Sequence, residues 1–120
     1  MAKFGELLRK LRAEKGITLR ELSDNSDIDV SYLSRVERGS IPPPQKEELL
    51  ASIIQGIQAT NYEAQQLRDQ AAIDNEKFPK DVAGRMKEMV GVPLLLRSVA
   101  NKKLTAEQLK KISDHINENY

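Results

Sequence analysis

The sequence predicts an all-α protein, a bundle of five short helices followed by a small helical tail. Three observations carry this. Apolar residues recur at helical spacing along most of the chain, and no stretch alternates with the period of a strand. Three capping boxes, "TLRE", "TNYE" and "TAEQ", each stand in front of an apolar run. A length of 120 residues suits one compact domain, or a small domain with a second helical piece, and excludes two large independent ones.

Phe4, Leu7, Leu8 and Leu11 place a first helix over about Phe4 to Lys15, and Gly16 stops it. Ile17 then turns into the core. In the box from Thr18 to Glu21 the threonine oxygen accepts from the third amide while the glutamate reaches back to the cap amide, so a second helix starts there and carries Leu22. "NSDI" breaks it. Asp29 caps a third helix whose inward face is Leu33 and Val36 and which ends at Gly39. Three prolines, Pro42 to Pro44, remove amide donors and fix φ, so the stretch from Ile41 to Pro44 is not helical. From Gln45 a fourth helix presents Leu49, Leu50, Ile53, Ile54 and Ile57. Thr60 to Glu63 opens a fifth, which continues through Leu67 to Ala72.

"DNEKFP" follows as a polar, proline-ended linker, giving an expected division into a five-helix unit over 1–74, a linker over 75–80 and a helical tail over 81–120. In the tail Val82, Met86 and Met89 suggest one short helix, "GVP" interrupts, and Leu94, Leu95, Leu96 and Val99 suggest another. Thr105 to Gln108 leads a last helix with Leu109, Ile112 and Ile116 expected inside.

Composition narrows the function classes. Hydrophobic residues make up 39% and charged residues 31%, so the chain can bury a core. Aromatics are 4%, which removes the stacking platform of single-strand binders. There is no cysteine and one histidine, His115, so disulfides, thiolate zinc sites and cysteine nucleophiles are excluded. With no phosphate-binding glycine loop and no nucleophile turn, an enzyme is not expected, nor a catalytic residue, a metal or a cofactor. No apolar run is long enough to span a bilayer, and "MAKFGELLRK" has the pattern of an amphipathic helix rather than a signal peptide; a soluble, cytoplasmic protein is expected. The 19 basic and 18 acidic residues give +1, which by itself neither announces nor excludes a nucleic-acid partner.

The stretch "FGELLRKLRAEKGITLRELSDNSDIDVSYLSRVERG", from Phe4 to Gly39, resembles without a gap the helix-turn-helix proteins of the Cro and phage-repressor type, the XRE family. Its apolar positions, Gly16, Thr18, Leu22, Ile28, Ser34, Glu37 and Gly39 fall in register. The resemblance implies a five-helix, lambda-repressor-like DNA-binding domain, and the tail is similar, more weakly, to those of regulators of mobile elements and toxin-antitoxin-like operons. The helix from Val30 to Arg38 would then lie in the major groove, with Val30, Ser31, Tyr32 and Arg35 meeting base edges. Arg35 is the foremost of these, because a guanidinium meets O6 and N7 of guanine with two bonds. Lys3, Arg9, Arg20, Arg38 and Lys46, with the amide of Leu19 at the start of helix 2, are the expected phosphate anchors. Arg12 and Glu37 are expected to pair and tie helix 1 to helix 3. Two positions depart from the family pattern: Asp27 stands where the turn usually has glycine, and "GSIPPP" replaces a loop that is often basic. Aspartate tolerates the left-handed conformation, so the turn survives, but phosphate anchoring is reduced.

The function expected from this resemblance is a sequence-specific, double-stranded DNA-binding transcriptional regulator, a repressor acting on its operator as a homodimer. Val82, Met86, Met89, Leu95, Leu96, Val99, Leu109, Ile112 and Ile116 are the expected dimerisation residues. The alternative is an interaction module, such as an antitoxin or an anti-repressor target, that binds a second polypeptide through the apolar tail.

Overall fold

The computed structural model describes residues 3–120; Met1 and Ala2, the first two residues of the amphipathic N-terminal pattern, lie outside them. The described residues form eight helices and no strand: α1 (Lys3–Lys15), α2 (Leu19–Ser26), α3 (Val30–Glu37), α4 (Glu47–Gly56), α5 (Asn61–Asp74), α6 (Lys80–Met86), α7 (Val92–Ala100) and α8 (Ala106–Asn119). The all-α expectation is borne out. The chain divides into two compact units, Met1–Val82 and Ala83–Tyr120, with the division inside α6.

In the first unit the local rules read from the sequence operate as written. Thr18 accepts from the Glu21 amide and Glu21 accepts from the Thr18 amide, so two amides that a helix start leaves orphaned are satisfied. Thr60 and Glu63 do the same for α5. α4 starts at Glu47 rather than Gln45. Lys46 is still extended there, with φ −82° and ψ 130°, and Pro43 and Pro44 are buried, so the chain leaves the proline run before it can coil. Asn75 helps to hold that run, its amide donating to the Pro43 carbonyl at 3.3 Å.

Phe4, Leu8, Leu22, Leu33, Ile53, Ile57 and Leu67 are fully buried and form the centre of the core. α4 contributes Leu50, Ile53 and Ile54, with Ile57 just past its end and Leu49 half-buried, and lies against α2. α1 runs along α5 and is fixed at both ends. The Phe4 amide donates to Asp74 Oδ2 at 2.7 Å, which caps α1 with a carboxylate from far along the chain. Lys15 Nζ lies 2.8 Å from Glu63 Oε1 at the other end.

α1 also crosses α3, and the crossing depends on Gly5. A Cβ at this position would stand 2.4 Å from the Val36 carbonyl oxygen and 2.6 Å from that of Glu37. Glycine lets the first helix rest directly on the backbone of the third. Gly56 serves α4 and α2 likewise: a Cβ there would meet Leu22 Cδ1 at 2.8 Å, and its carbonyl accepts from Asn25 Nδ2 at 3.0 Å.

The second unit has the expected capping box, Thr105 with Gln108, at the head of α8. Its side chains are placed differently from the expectation. Leu109, Ile112 and Ile116 are not inside but 42%, 38% and 42% exposed, and no residue of α7 or α8 is buried. So short a piece has too little surface to enclose an interior of its own. Among the described residues no helix is long and apolar enough to cross a membrane.

Gly5→Ala is expected to destabilise the first unit by about 1–3 kcal/mol, the usual cost of overpacking a tight site, because backbone atoms cannot swing aside. Urea unfolding of the variant against the parent checks this, and Gly84→Ala, where an added Cβ meets nothing within 4 Å, is the control.

Candidate nucleic-acid interface

The turn between α2 and α3 is built by two aspartates and two serines, Asp27 and Asp29 with Ser23 and Ser31. Asp27 is left-handed, with φ 59° and ψ 35°, and its amide donates to the Ser23 carbonyl to close α2. The Ser23 hydroxyl donates to the Ile28 carbonyl across the turn. Asp29 then caps α3, accepting from the Ser31 amide at 3.2 Å and from the Ser31 hydroxyl. The bond from the Ser31 hydroxyl, followed by those from the Tyr32 and Ser31 amides and the charge of Arg35, holds the Asp29 carboxyl below the ordinary carboxylate range. Asp24 is exposed on α2.

α3 buries Leu33, Val36 and Glu37 and leaves Val30, Ser31 and Arg35 exposed on the outer side. The Arg35 Nε donates to the Ser31 carbonyl at 3.3 Å, which lays the exposed side chain back along the helix. Arg38 Nε donates to the Ser34 carbonyl in the same way, also at 3.3 Å. Tyr32 differs from its three expected companions. It is half-buried against the core, and that burial pushes its hydroxyl pKa up. Its role in positioning α3 is therefore at least as direct as any outward one.

The far end of α3 is fixed by Arg12. Its Nε lies 2.7 Å from Glu37 Oε2 and its Nη2 lies 2.9 Å from Glu37 Oε1, a two-bond fork, while Nη1 donates to the Ile17 carbonyl at 3.1 Å. The Glu37 side chain is 3% exposed and that of Arg12 19%. The bond to Glu37 raises the Arg12 pKa above its already high value. Arg9 is drawn to the same carboxylate, with Nε 3.6 Å from Oε1, so this expected anchor is partly engaged within the protein.

Lys3, Arg20 and Lys46 are exposed, at the starts of α1, α2 and α4 respectively. Leu19 packs against the core, and its amide, like that of Arg20, belongs to the first turn of α2 and has no intrahelical acceptor. Among the described residues no group of His, Cys, Asp or Glu side chains is gathered as metal ligands would be. His115 lies on α8 beside Asn119, with its ring edge-on to Tyr120.

Sequence reasoning missed three supports of this surface: Gly5, Asp74 and Asn75. Each acts on a distant backbone group, so no local pattern marks it. The interaction of Asp29 with the Ser31 side chain had a local signal, an acceptor two positions before a hydroxyl at a helix start.

Two short helices joined by a tight turn, the second with a polar outer face, capped at its start and tied to the first helix of the bundle at its end, define a helix-turn-helix protein. Residues 3–67, more than half of the sequence, match the helix-turn-helix domain family, and the chain belongs to that family. The membership implied by the stretch from Phe4 to Gly39 is thus borne out. Among relatives, the transcriptional regulator ClgR of Mycobacterium tuberculosis is 43% identical over 54 residues, in each of two strains, CDC 1551 / Oshkosh and H37Rv. These cover 45% of this chain, which in turn spans 46% of the relatives' length. Of solved structures, the clp gene regulator ClgR of C. glutamicum is similar at 38% identity, with a TM-score of 0.48, over 59% of this chain and 86% of that one.

Arg12→Ala is expected to destabilise folding by on the order of 3 kcal/mol, because it leaves the Glu37 carboxylate buried without its partner. Adding Glu37→Gln should recover part of the loss. Thermal unfolding of the two variants and the parent checks both outcomes, and a fully stable Arg12→Ala protein would contradict the structural role.

Proposed function

We propose that the protein is a sequence-specific double-stranded DNA-binding regulator, a cytoplasmic repressor that acts as a homodimer without a cofactor. Residues 1–74 form the DNA-binding domain, 75–80 the linker and 81–120 the dimerisation region. The observation that carries the reading is the outer face of α3, with Val30, Ser31 and Arg35 exposed on a helix capped by Asp29 and held at its other end by Arg12. A helix positioned that firmly suits entry into the major groove. Family membership and the relatives' description as transcriptional regulators point the same way.

Base edges meet Arg35, Ser31 and Val30, with Tyr32 contributing from its half-buried position. Phosphates meet Arg20, Arg38, Lys46 and Lys3, the first-turn amides of α2 near Leu19, and Arg9 where Glu37 leaves it free. Dimerisation is supported by the apolar side chains of the tail. Leu95 is 50% exposed, and Leu109, Ile112 and Ile116 share one face of α8. Such a face needs a partner, and a twofold protein matches a palindromic operator.

Selection of sites from random duplexes by the full chain tests the reading, and the absence of any enriched sequence overturns it. Arg35→Ala should relax base preference at one position per half-site with little change in thermal stability. Lys46→Ala should weaken all sequences alike and make the dependence of log affinity on log salt shallower by about 0.9. Both are read by titration at several salt concentrations.

The full-length chain is expected to sediment as a dimer, and Ile112→Glu with Ile116→Glu should make it monomeric while leaving α2 and α3 folded. Binding to two half-sites with centres about 34 Å apart would then fall sharply and single half-site binding would persist. A monomeric parent chain would instead favour the second reading, in which the exposed tail binds another polypeptide.

A further inference from the structure

The start of α3 raises a question of hydrogen-bond polarity. A serine hydroxyl has one proton to give and two lone pairs to receive with. In this structure the Ser31 proton is given to Asp29 Oδ2, while the same carboxylate oxygen takes the Ser31 amide. Both side chains are exposed on the outer end of α3. What these two side chains offer outward is therefore lone pairs only, from the Ser31 oxygen and from the second Asp29 oxygen. One turn further along the same side, Arg35 offers protons only.

We infer that Asp29 fixes Ser31 as a hydrogen-bond acceptor, so that Ser31 reads an exocyclic amino group, the N4 of cytosine or the N6 of adenine, on the strand it meets. The inference rests on the reading of α3 as the groove-entering helix. It follows from what the major groove displays: its acceptors are N7, O6 and O4, and its only donors are those two amino groups. An acceptor-only side chain meeting O4 of thymine or O6 of guanine would face lone pair with lone pair. The same polarity makes Ser31 a poor phosphate ligand, since phosphate oxygens also only accept. Asp29 acts as a positioning residue, since it works through Ser31. Its negative charge at a DNA-facing surface costs some affinity and gives direction to the neighbouring hydroxyl.

The experiment begins with the half-site that the full chain selects from random duplexes. Ser31→Ala should lose preference at one base pair, and the group it reads there should be the single exocyclic amino group that the pair shows in the major groove, on its cytosine or its adenine. Replacing that base by 2-pyrimidinone or purine, which lack the amino group, should weaken the parent about fivefold, the order of one hydrogen bond, and should not weaken Ser31→Ala. Replacing the purine of that pair by its 7-deaza analogue should leave the parent unchanged. Asp29→Gly frees the hydroxyl at a cap cost of about a few tenths of a kcal/mol, and should let the pair be reversed, with thymine or guanine standing where the amino-bearing base stood. A lost cap alone would lower affinity for all sequences without changing the preferred base. The inference is overturned if Ser31→Ala alters no position, if deleting the amino group of the altered pair costs the parent nothing or costs Ser31→Ala as much, or if Asp29→Gly keeps the parent's preference. If no duplex is enriched at all, the DNA-binding reading fails first and takes this inference with it.

Discussion

The forked bond between Arg12 and Glu37 is the constraint on which the rest of the first unit depends. It spans α1 and the last turn of α3, and through the Ile17 carbonyl it also holds the bend that leads into α2. One guanidinium thus fixes three segments at fixed distances. The fork forms because α1 can rest on the backbone of α3, and that approach is possible because residue 5 has no side chain. The two features support each other. A Cβ at residue 5 would press on the Val36 and Glu37 carbonyls beside the fork, and without Arg12 the Glu37 carboxylate would be left buried without its forked partner.

The opposite end of α3 is fixed by local means. Asp27 takes the left-handed turn, Ser23 bridges to Ile28, and Asp29 caps the helix. This accounts for the acidic residues in front of a helix proposed to meet a polyanion: two of the three have backbone work that short acceptor side chains do well. Asp24, the third, has no such role in the structure beyond being exposed on α2. Uncapped, the first amides of α3 would be left to solvent and the helix start would fray, and with it the spacing between Ser31 and Arg35.

How much of this was legible in the sequence follows from how far apart the interacting groups are. Three capping boxes and the Asp29 cap involve residues two or three apart, and all were readable. The Arg12–Glu37 expectation came from resemblance, since nothing in the spacing of the two residues announces a meeting across 25 positions. Gly5 looked like an ordinary helix residue because the atoms that exclude a Cβ belong to residues 36 and 37. The bonds from Phe4 to Asp74 and from Asn75 to Pro43 were illegible for the same reason. The resemblance places Tyr32 among the outward residues; on α3 it is half-buried at the boundary of the polar face, where periodicity does not decide which side a large ring takes. In the tail the pattern correctly indicated helices but not where their apolar sides go, which depends on what surrounds them.

On the proposed reading, the distribution of cations explains why the tail matters to binding. Arg12 is spent on Glu37, Arg9 is drawn to it, Lys15 is paired with Glu63, and Arg68 is paired with Glu47. The first unit thus uses several of its positive charges internally, and the proline loop after α3 adds none before Lys46. Affinity for a polyanion grows with the number of phosphates neutralised, each adding about 0.9 to the salt exponent, so a single copy with few free anchors binds modestly. Two copies joined by their tails turn the second half-site into an intramolecular event, which raises overall affinity by about 10²–10⁴-fold without a new contact to DNA. That division of labour places specificity in the capped face of α3 and affinity in the pairing of chains. It also makes binding responsive to protein concentration, because the step that supplies most of the affinity is the one in which two chains meet.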